Sequence, residues 1–411
     1  MLLFDVLAVL TLVYWLGIFI DSLIGLRSIK EIQKMPNDRV HHNNPTAANY
    51  NGSMSNVGLP FVSVIVAARN EEKDISRTIK QLLAQDYPAF EVIAVNDRST
   101  DGTANRLSEL QAWWEEQSIN RSSSPTLKQL DITELPDGWI GKNHALYQGV
   151  QLAKGEYLLF TDADVRFDPA MLRSAVAAAQ GEQVDLLTLS PQMEAKHFVL
   201  RLFVHYFLFS FTLFKRLWVA NNDKQHKYGV GIGAFNLIKK SVYEEIGTHR
   251  SISMRPDDDL QLGMKVKQGG FRQRVHTAKS MLQVEWYPTL KEAIQGLEKN
   301  AFAGLHYSYA LAFFALFGQL FVFLFPFIAI FIWQDWKLLS YGLTIALIFT
   351  LYLLHVRKMS SDSGLNMFLL PVSVLLFCFV FVRAILLTMF KGGIVWRGTF
   401  YRLTELRKKN E

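Results

Sequence analysis

Apolar positions follow two different patterns along this chain. From Leu2 to Leu26 they form one nearly unbroken run, and a bilayer crossing takes about 20 such residues. Asp5 and Asp21 sit near its ends, where charge is tolerated. The start, Met-Leu-Leu-Phe-Asp, lacks the basic flank and small-residue cleavage site of a signal peptide, so an uncleaved anchor over 1–26 is expected. Residues 27–60 begin with Arg27, Lys30, Lys34 and Arg39, then turn rich in Asn, Gly, Ser and Pro; they read as a basic flank and linker. Over 61–301 the pattern changes to short apolar strands, Val62–Ala67, Glu91–Asn96, Tyr157–Phe160 and Asp185–Leu189. These alternate with helical spacings such as Ile75, Ile79, Leu82, Leu83. That alternation predicts an α/β domain with a mostly parallel sheet.

Long apolar runs return over 302–390, with spans expected at Leu311–Trp333, Leu338–Leu354 and Met367–Phe390, before a basic tail at 391–411. The positive-inside rule assigns both the 27–39 flank and the tail to the cytoplasm. Three full spans after a cytoplasmic domain would leave the tail outside, so the last segment, with Pro371 and Arg383, is expected to be re-entrant or interfacial. A further segment, 197–218, is dense in Phe and Leu but carries Arg201, His205, Thr212 and Arg216 on one stripe. An in-plane interfacial helix fits it better than a span.

Composition agrees with this division. Half the residues are hydrophobic and 19% are charged, below the quarter or so of an ordinary soluble domain. One cysteine excludes a disulfide scaffold and a cysteine zinc site. A net charge of +6 reflects membrane flanks and gives no case for nucleic acid.

The candidate chemistry lies where strands end, because ligands of open parallel sheets sit beyond their carboxyl edges. Ala67, Arg69 and Glu71 follow the first strand, and Asp97 closes the second. Asp97 suits hydrogen bonding to a ribose or base, whereas Asp101 reads as a turn or cap residue. Tyr157–Phe160 runs into Thr161-Asp162-Ala163-Asp164, and carboxylates at i and i+2 on extended backbone face one way. Such a pair holds Mg²⁺ or Mn²⁺ with substrate phosphates completing the shell. Lys142 opens a helix after a Pro-Asp-Gly turn, placed to reach a phosphate. Asp257-Asp258-Asp259 precede another helical pattern; one acid serves a helix start, and the remainder could supply a general base. Gly229-Val-Gly-Ile-Gly-Ala234 mimics a dinucleotide glycine motif but follows a polar stretch, so it reads as a small-residue substrate wall.

Taken together, Val62–Glu71, Val95–Thr103, Gly141-Lys142, Asp162-Ala-Asp164 and Asp258-Asp259-Leu-Gln-Leu-Gly263 resemble, in that order, the family 2 glycosyltransferases. The resemblance implies a GT-A fold and a membrane-anchored inverting enzyme. It implies that Asp97 holds the nucleoside of a nucleotide-sugar donor, with UDP favoured and Ala67, Arg69 and Glu71 around it. Lys142 would lie near the nucleotide, and Asp162 and Asp164 would hold the metal on the pyrophosphate. Asp259 would be the base, with Asp258 its neighbour. The membrane flanks, Lys299–Gly304 and Trp396-Arg397-Gly398 resemble the subgroup associated with hopanoid and carotenoid glycosylation. A membrane lipid acceptor is therefore expected, whether hopanoid, carotenoid, polyprenyl phosphate or glycerolipid. The Gln-x-x-Arg-Trp motif of processive synthases does not occur, which disfavours the alternative of a polysaccharide synthase. A non-catalytic scaffold binding nucleotide-sugar or lipid would not need every acid.

Overall fold

The computed structural model describes residues 2–35, 59–119, 125–303, 305, 307–396 and 399–404. Most of the expected linker (36–58), Gly304, His306, Arg397, Gly398 and the tail from 405 lie outside them. The chain divides into two compact units: residues 30–192 with 220–284, and residues 1–29, 193–219 and 285–411. The first division thus takes the 198–215 helix out of the α/β unit, because the chain leaves that unit before the helix and rejoins it afterwards.

Within the α/β unit the strands are β1 (Val62–Ala68), β2 (Phe90–Asp97), β3 (Thr126–Ile132), β4 (Tyr157–Asp162), β5 (Leu186–Ser190), β6 (Asn236–Lys239) and β7 (Gln273–Thr277). They form one sheet in the order β3-β2-β1-β4-β6-β5-β7. All pairings are parallel except those of β6, which runs antiparallel to both β4 and β5. Every residue of β1 and β2 is buried, as a strand covered on both faces requires. Val62, Val64 and Val66 pack on one side with α1 (Ile75–Leu83) and Ile65 and Ala67 on the other with α3 (Gly141–Gln151). The period-2 alternation of the strand therefore feeds two hydrophobic layers. The remaining helices used below are α2 (Thr103–Ser118), α4 (Met171–Gly181), α5 (Lys240–Glu245) and α6 (Asp258–Gln268). Residues 30–35, in the basic flank, fasten to the sheet edge through a bridge between Glu31 and Thr277.

The other unit is helical and apolar. Among the described residues five helical segments are long and apolar enough to cross a membrane: Leu2–Gly25, Phe198–Lys215, Tyr309–Ala329, Trp336–Met359 and Leu365–Lys391. Helices 2–25 and 336–359 run parallel, since Asp5 pairs with Lys337 (2.8 Å) and Ser340 donates to the Ala8 carbonyl (3.1 Å). Lys337 is buried, and Asp335 is its second carboxylate, as an ammonium removed from water requires. Trp15 packs edge-on to Phe323 and donates to the Val322 carbonyl, fixing a third helix to the first. Arg216, in a left-handed conformation just past the 198–215 helix, forks onto Asp21. The polar stripe of that helix is divided: Arg201 and Arg216 are exposed, and its middle is turned inward. His205 and Thr212 are buried, and His205 bonds Asp362 (2.9 Å) and Asn366 (3.2 Å).

Candidate active site

Three strand ends and two helix starts converge at the carboxyl edge of the sheet. Ala67 of β1 stands in register between Val95 of β2 and Asp162 of β4. The end of β2, with Asp97, and the end of β4, with Asp162, are therefore two strand spacings apart, about 10 Å. Helix α3 begins in that interval. Gly141 lies so close to Asp97 and Arg98 that a Cβ there would come within 2.3 Å of the Asp97 carboxylate. The next residue, Lys142, extends the other way and meets Asp162 (2.9 Å) and Asp258 (3.4 Å). Burial opposes its charge, but the surrounding acids outweigh burial and raise its pKa.

The three consecutive acids at the α6 start divide their work. Asp257 is gripped by Arg255 through two bonds of 2.9 Å and by Gln261. Asp258 faces Lys142. Asp259 accepts the Gly233 N–H (2.8 Å) and the N–H of Leu260. Burial, then the charge of Asp258, pushes the Asp259 carboxyl up to about 7; burial also raises Asp258, against the pull of Lys142. A carboxylate poised near neutrality is suited to take a proton.

Gly233 connects the acids. Its N–H binds Asp259, its carbonyl accepts the Asp162 N–H (3.1 Å), and a Cβ on it would strike the Asp162 carboxylate at 2.5 Å. So the 229–234 segment is a wall of the site, and its other glycines face α6 instead: a Cβ on Gly231 would lie 2.0 Å from the Asp259 carbonyl oxygen.

The site residues predicted from sequence are not all brought together. Asp162, Asp258, Asp259 and Lys142 line one hollow. Asp164 lies in the turn after β4, half-buried, and is not among the residues lining it. Asp97 is buried, with Arg98 on both of its oxygens (2.8 and 3.3 Å) and Arg69 3.8 Å away. Ala67 is buried in β1, and the Glu71 N–H is bound by Thr103. Asp101 serves the turn, accepting the N–H and hydroxyl of Thr103 at the start of α2.

Residues that the pattern did not single out hold the site in place. Asn143, fully buried, donates to the carbonyls of Ile252, Ser253 and Arg255, and so ties the Lys142 helix to the loop before Asp258. His249 lines the hollow and is held by Tyr243. Asn143 stood in view beside Gly141-Lys142; a lone histidine gives no such signal.

A divalent cation fits the donor set. Asp162 is half-exposed at the strand end, and the missing side chain of Gly233 leaves room beside its carboxylate. Among the described residues no three His, Cys, Asp or Glu side chains are placed to hold a metal ion by themselves, so donor phosphates would have to complete the shell.

The mostly parallel sheet, with acids at its strand ends and Lys142 at a helix start, is that of a GT-A-type α/β domain. Residues 63–247 match the family model described as Glycosyl transferase family 2. It is similar to 4,4'-diaponeurosporenoate glycosyltransferases of Staphylococcus aureus. The proteins of strains MRSA252 and bovine RF122 / ET3-1 are each 25% identical over 355 residues, covering 84% of this chain and 89% of theirs. In fold it is similar to the mannosyltransferase PcManGT of Pyrobaculum calidifontis, solved with GDP-Man and Mn²⁺. That likeness has a TM-score of 0.51 at 18% identity, covering 93% of this chain and 98% of that one.

Proposed function

We propose that the protein transfers a sugar, with inversion, from a nucleotide-sugar to a hydroxyl or carboxyl of an apolar membrane lipid. The observation that carries this is the convergence of Asp162, Asp258 and Asp259 on Lys142 beyond the sheet edge. Asp97 and its arginines would flank the nucleoside, and Lys142 would meet the diphosphate. A divalent ion held by Asp162 and Asp164 would stabilise charge on the leaving diphosphate. Asp259 would take the acceptor proton. UDP is the favoured nucleotide from family resemblance; relatives named for diaponeurosporenoate support a carotenoid-like acceptor.

The test is transfer of labelled sugar from UDP- and GDP-hexoses into lipid by membranes containing the protein. Asp162→Ala is expected to weaken Mg²⁺- or Mn²⁺-dependent donor binding by about tenfold or more, a hydrogen-bonded charge interaction's worth. Donor affinity that is equal in wild type and variant, with and without metal, would remove the metal from this account.

We assign the catalytic domain to the cytoplasmic side of a cell membrane. The 27–39 basic flank supports this. The 198–215 helix begins after β5 and ends before β6, neighbours in one sheet, which supports a helix that does not cross. The last apolar helix, Leu370–Lys391, packs along the 290–303 helix, whose Lys291 and Glu292 are exposed, and the 393–396 strand touches both. Exposed charges at the start of the helix it packs against favour an interfacial or re-entrant course. It leaves three crossings and a cytoplasmic tail. A protease-sensitive tag placed after residue 411 should be cut in inverted vesicles and protected in right-side-out ones. The reverse pattern would mean four crossings.

A further inference from the structure

We propose that His249 is a sugar-binding residue of this site, a neutral imidazole whose Nε2 hydrogen-bonds a hydroxyl of the transferred sugar, with Tyr243 as the positioning residue that holds Nδ1. The proposal rests on the glycosyl-transfer reading above.

His249 opens the short turn His249–Ile252 after α5 and is 1% exposed, yet it lines the hollow that holds Lys142, Asp162, Asp258 and Asp259. Its backbone N–H donates to the Tyr243 hydroxyl (3.0 Å), and that hydroxyl stands 2.7 Å from Nδ1. A tyrosine hydroxyl has one proton. The hydroxyl also has the Thr248 side chain as a hydrogen-bond partner, so Tyr243 holds Nδ1 in either tautomer and Nε2 is the ring nitrogen left for a ligand. A sugar hydroxyl both donates and accepts, and so meets either form. The ring is locked edge-on to Phe160 at 4.9 Å. Burial and the neighbouring Lys142 hold it neutral, with a pKa lowered to about 3.

With Nδ1 turned to Tyr243, Nε2 makes no hydrogen bond among the described residues, and the ring lines the hollow. The hollow's other polar groups are engaged. Lys142 holds two carboxylates, Asp259 holds two N–H groups, and the Thr161 hydroxyl donates to the Ala234 carbonyl. Leu146, Phe160 and Leu262 complete the wall. Apolar surface with one uncharged hydrogen-bonding nitrogen suits a sugar, which offers C–H faces and hydroxyls. Lys142 would serve the diphosphate, so an uncharged group is matched to the uncharged part of the ligand.

The experiment uses the full-length protein in nanodiscs. UDP- and GDP-hexoses are screened for the one that wild type transfers; that donor and its free nucleoside diphosphate are then the two probes. His249→Phe is expected to weaken binding of the nucleotide-sugar by roughly 10- to 100-fold, as when a site loses a hydrogen bond to substrate, and to leave the nucleoside diphosphate unaffected. His249→Gln, with an N–H near the same point, should recover most of the loss. Tyr243→Phe removes the contact that holds Nδ1 and should fall between, chiefly through KM. Equal losses for both probes, or a glutamine variant of wild-type Tm that fails as badly as phenylalanine, would overturn the proposal. Wild-type binding by these variants would do the same. If wild type transfers none of the hexoses, the glycosyl-transfer reading itself fails, a result separate from any His249 variant.

Discussion

Asp259→Asn is expected to cut sugar transfer to a hydroxyl acceptor by roughly 100- to 10,000-fold, the range of a lost general base, while donor affinity stays unchanged. The reason lies in position and in protonation. Asp259 is held at the start of α6 by the Gly233 N–H, one residue from the Asp258–Lys142 contact. Its carboxyl is pushed up to about 7 by burial and by Asp258. Below that value it is protonated and cannot accept; above it the base is free. In wild type, kcat/KM should rise about tenfold per pH unit on the acid side and level off above about 7. The asparagine variant should lose that limb. An acceptor carboxylate changes the outcome, because it is already ionised at neutral pH and brings no proton to remove. A shallow loss with a carotenoid acid, beside a deep loss with a hydroxylated lipid, would therefore identify the nucleophile. A deep loss of donor binding in Asp259→Asn would remove it from the role of base.

Much of the site was legible because strand ends announce themselves. An apolar run delivered Asp97 and Asp162 to the edge of the sheet, and a turn delivered Lys142 to a helix start. Strands β1, β2, β4 and β5 were readable within a residue or two, since buried strands are continuously apolar. The others were not. In β3, Thr126–Ile132 is an edge strand whose burial is mixed, so its Lys, Gln and Asp hide the pattern. In β6, four residues are too few to show a period. That omission mattered most, because β6 follows the 229–234 segment and lies beside β4. It is this strand that brings Gly233 between Asp162 and Asp259. No spacing along the chain could say that residues 162 and 259 meet. His249 was hidden for another reason: its environment is assembled from Tyr243, Phe160 and Lys142, which are distant or unremarkable in sequence.

Gly231→Ala should cost at least as much activity as any single acid outside the base, through backbone geometry alone. Segment 229–233 and helix α6 meet main chain to main chain. A Cβ on Gly231 would lie 2.0 Å from the Asp259 carbonyl oxygen, and one on Gly229 would lie 1.9 Å from that of Gly263. From the other side, a Cβ on Gly263 would reach the Val230 carbonyl carbon at 2.4 Å. No side chain can swing aside to relieve such contacts, so an added methyl must part the two backbones. Overpacking of this kind costs about 1–3 kcal/mol or more. The displacement falls on the first turn of α6, where Asp258 and Asp259 stand. A shift of about 1 Å at reacting groups lowers rates by about 100-fold, so transfer should fall by that order even in protein that remains folded. Gly181→Ala is the control. It lies at the end of α4 with nothing within 4 Å of its missing Cβ, and alanine there should be neutral or add up to about 1 kcal/mol. Both variants are compared by Tm and by initial rate of sugar transfer. Full activity in Gly231→Ala would show that Asp259 does not depend on this contact, and the glycines of 229–233 would revert to a wall for substrate alone.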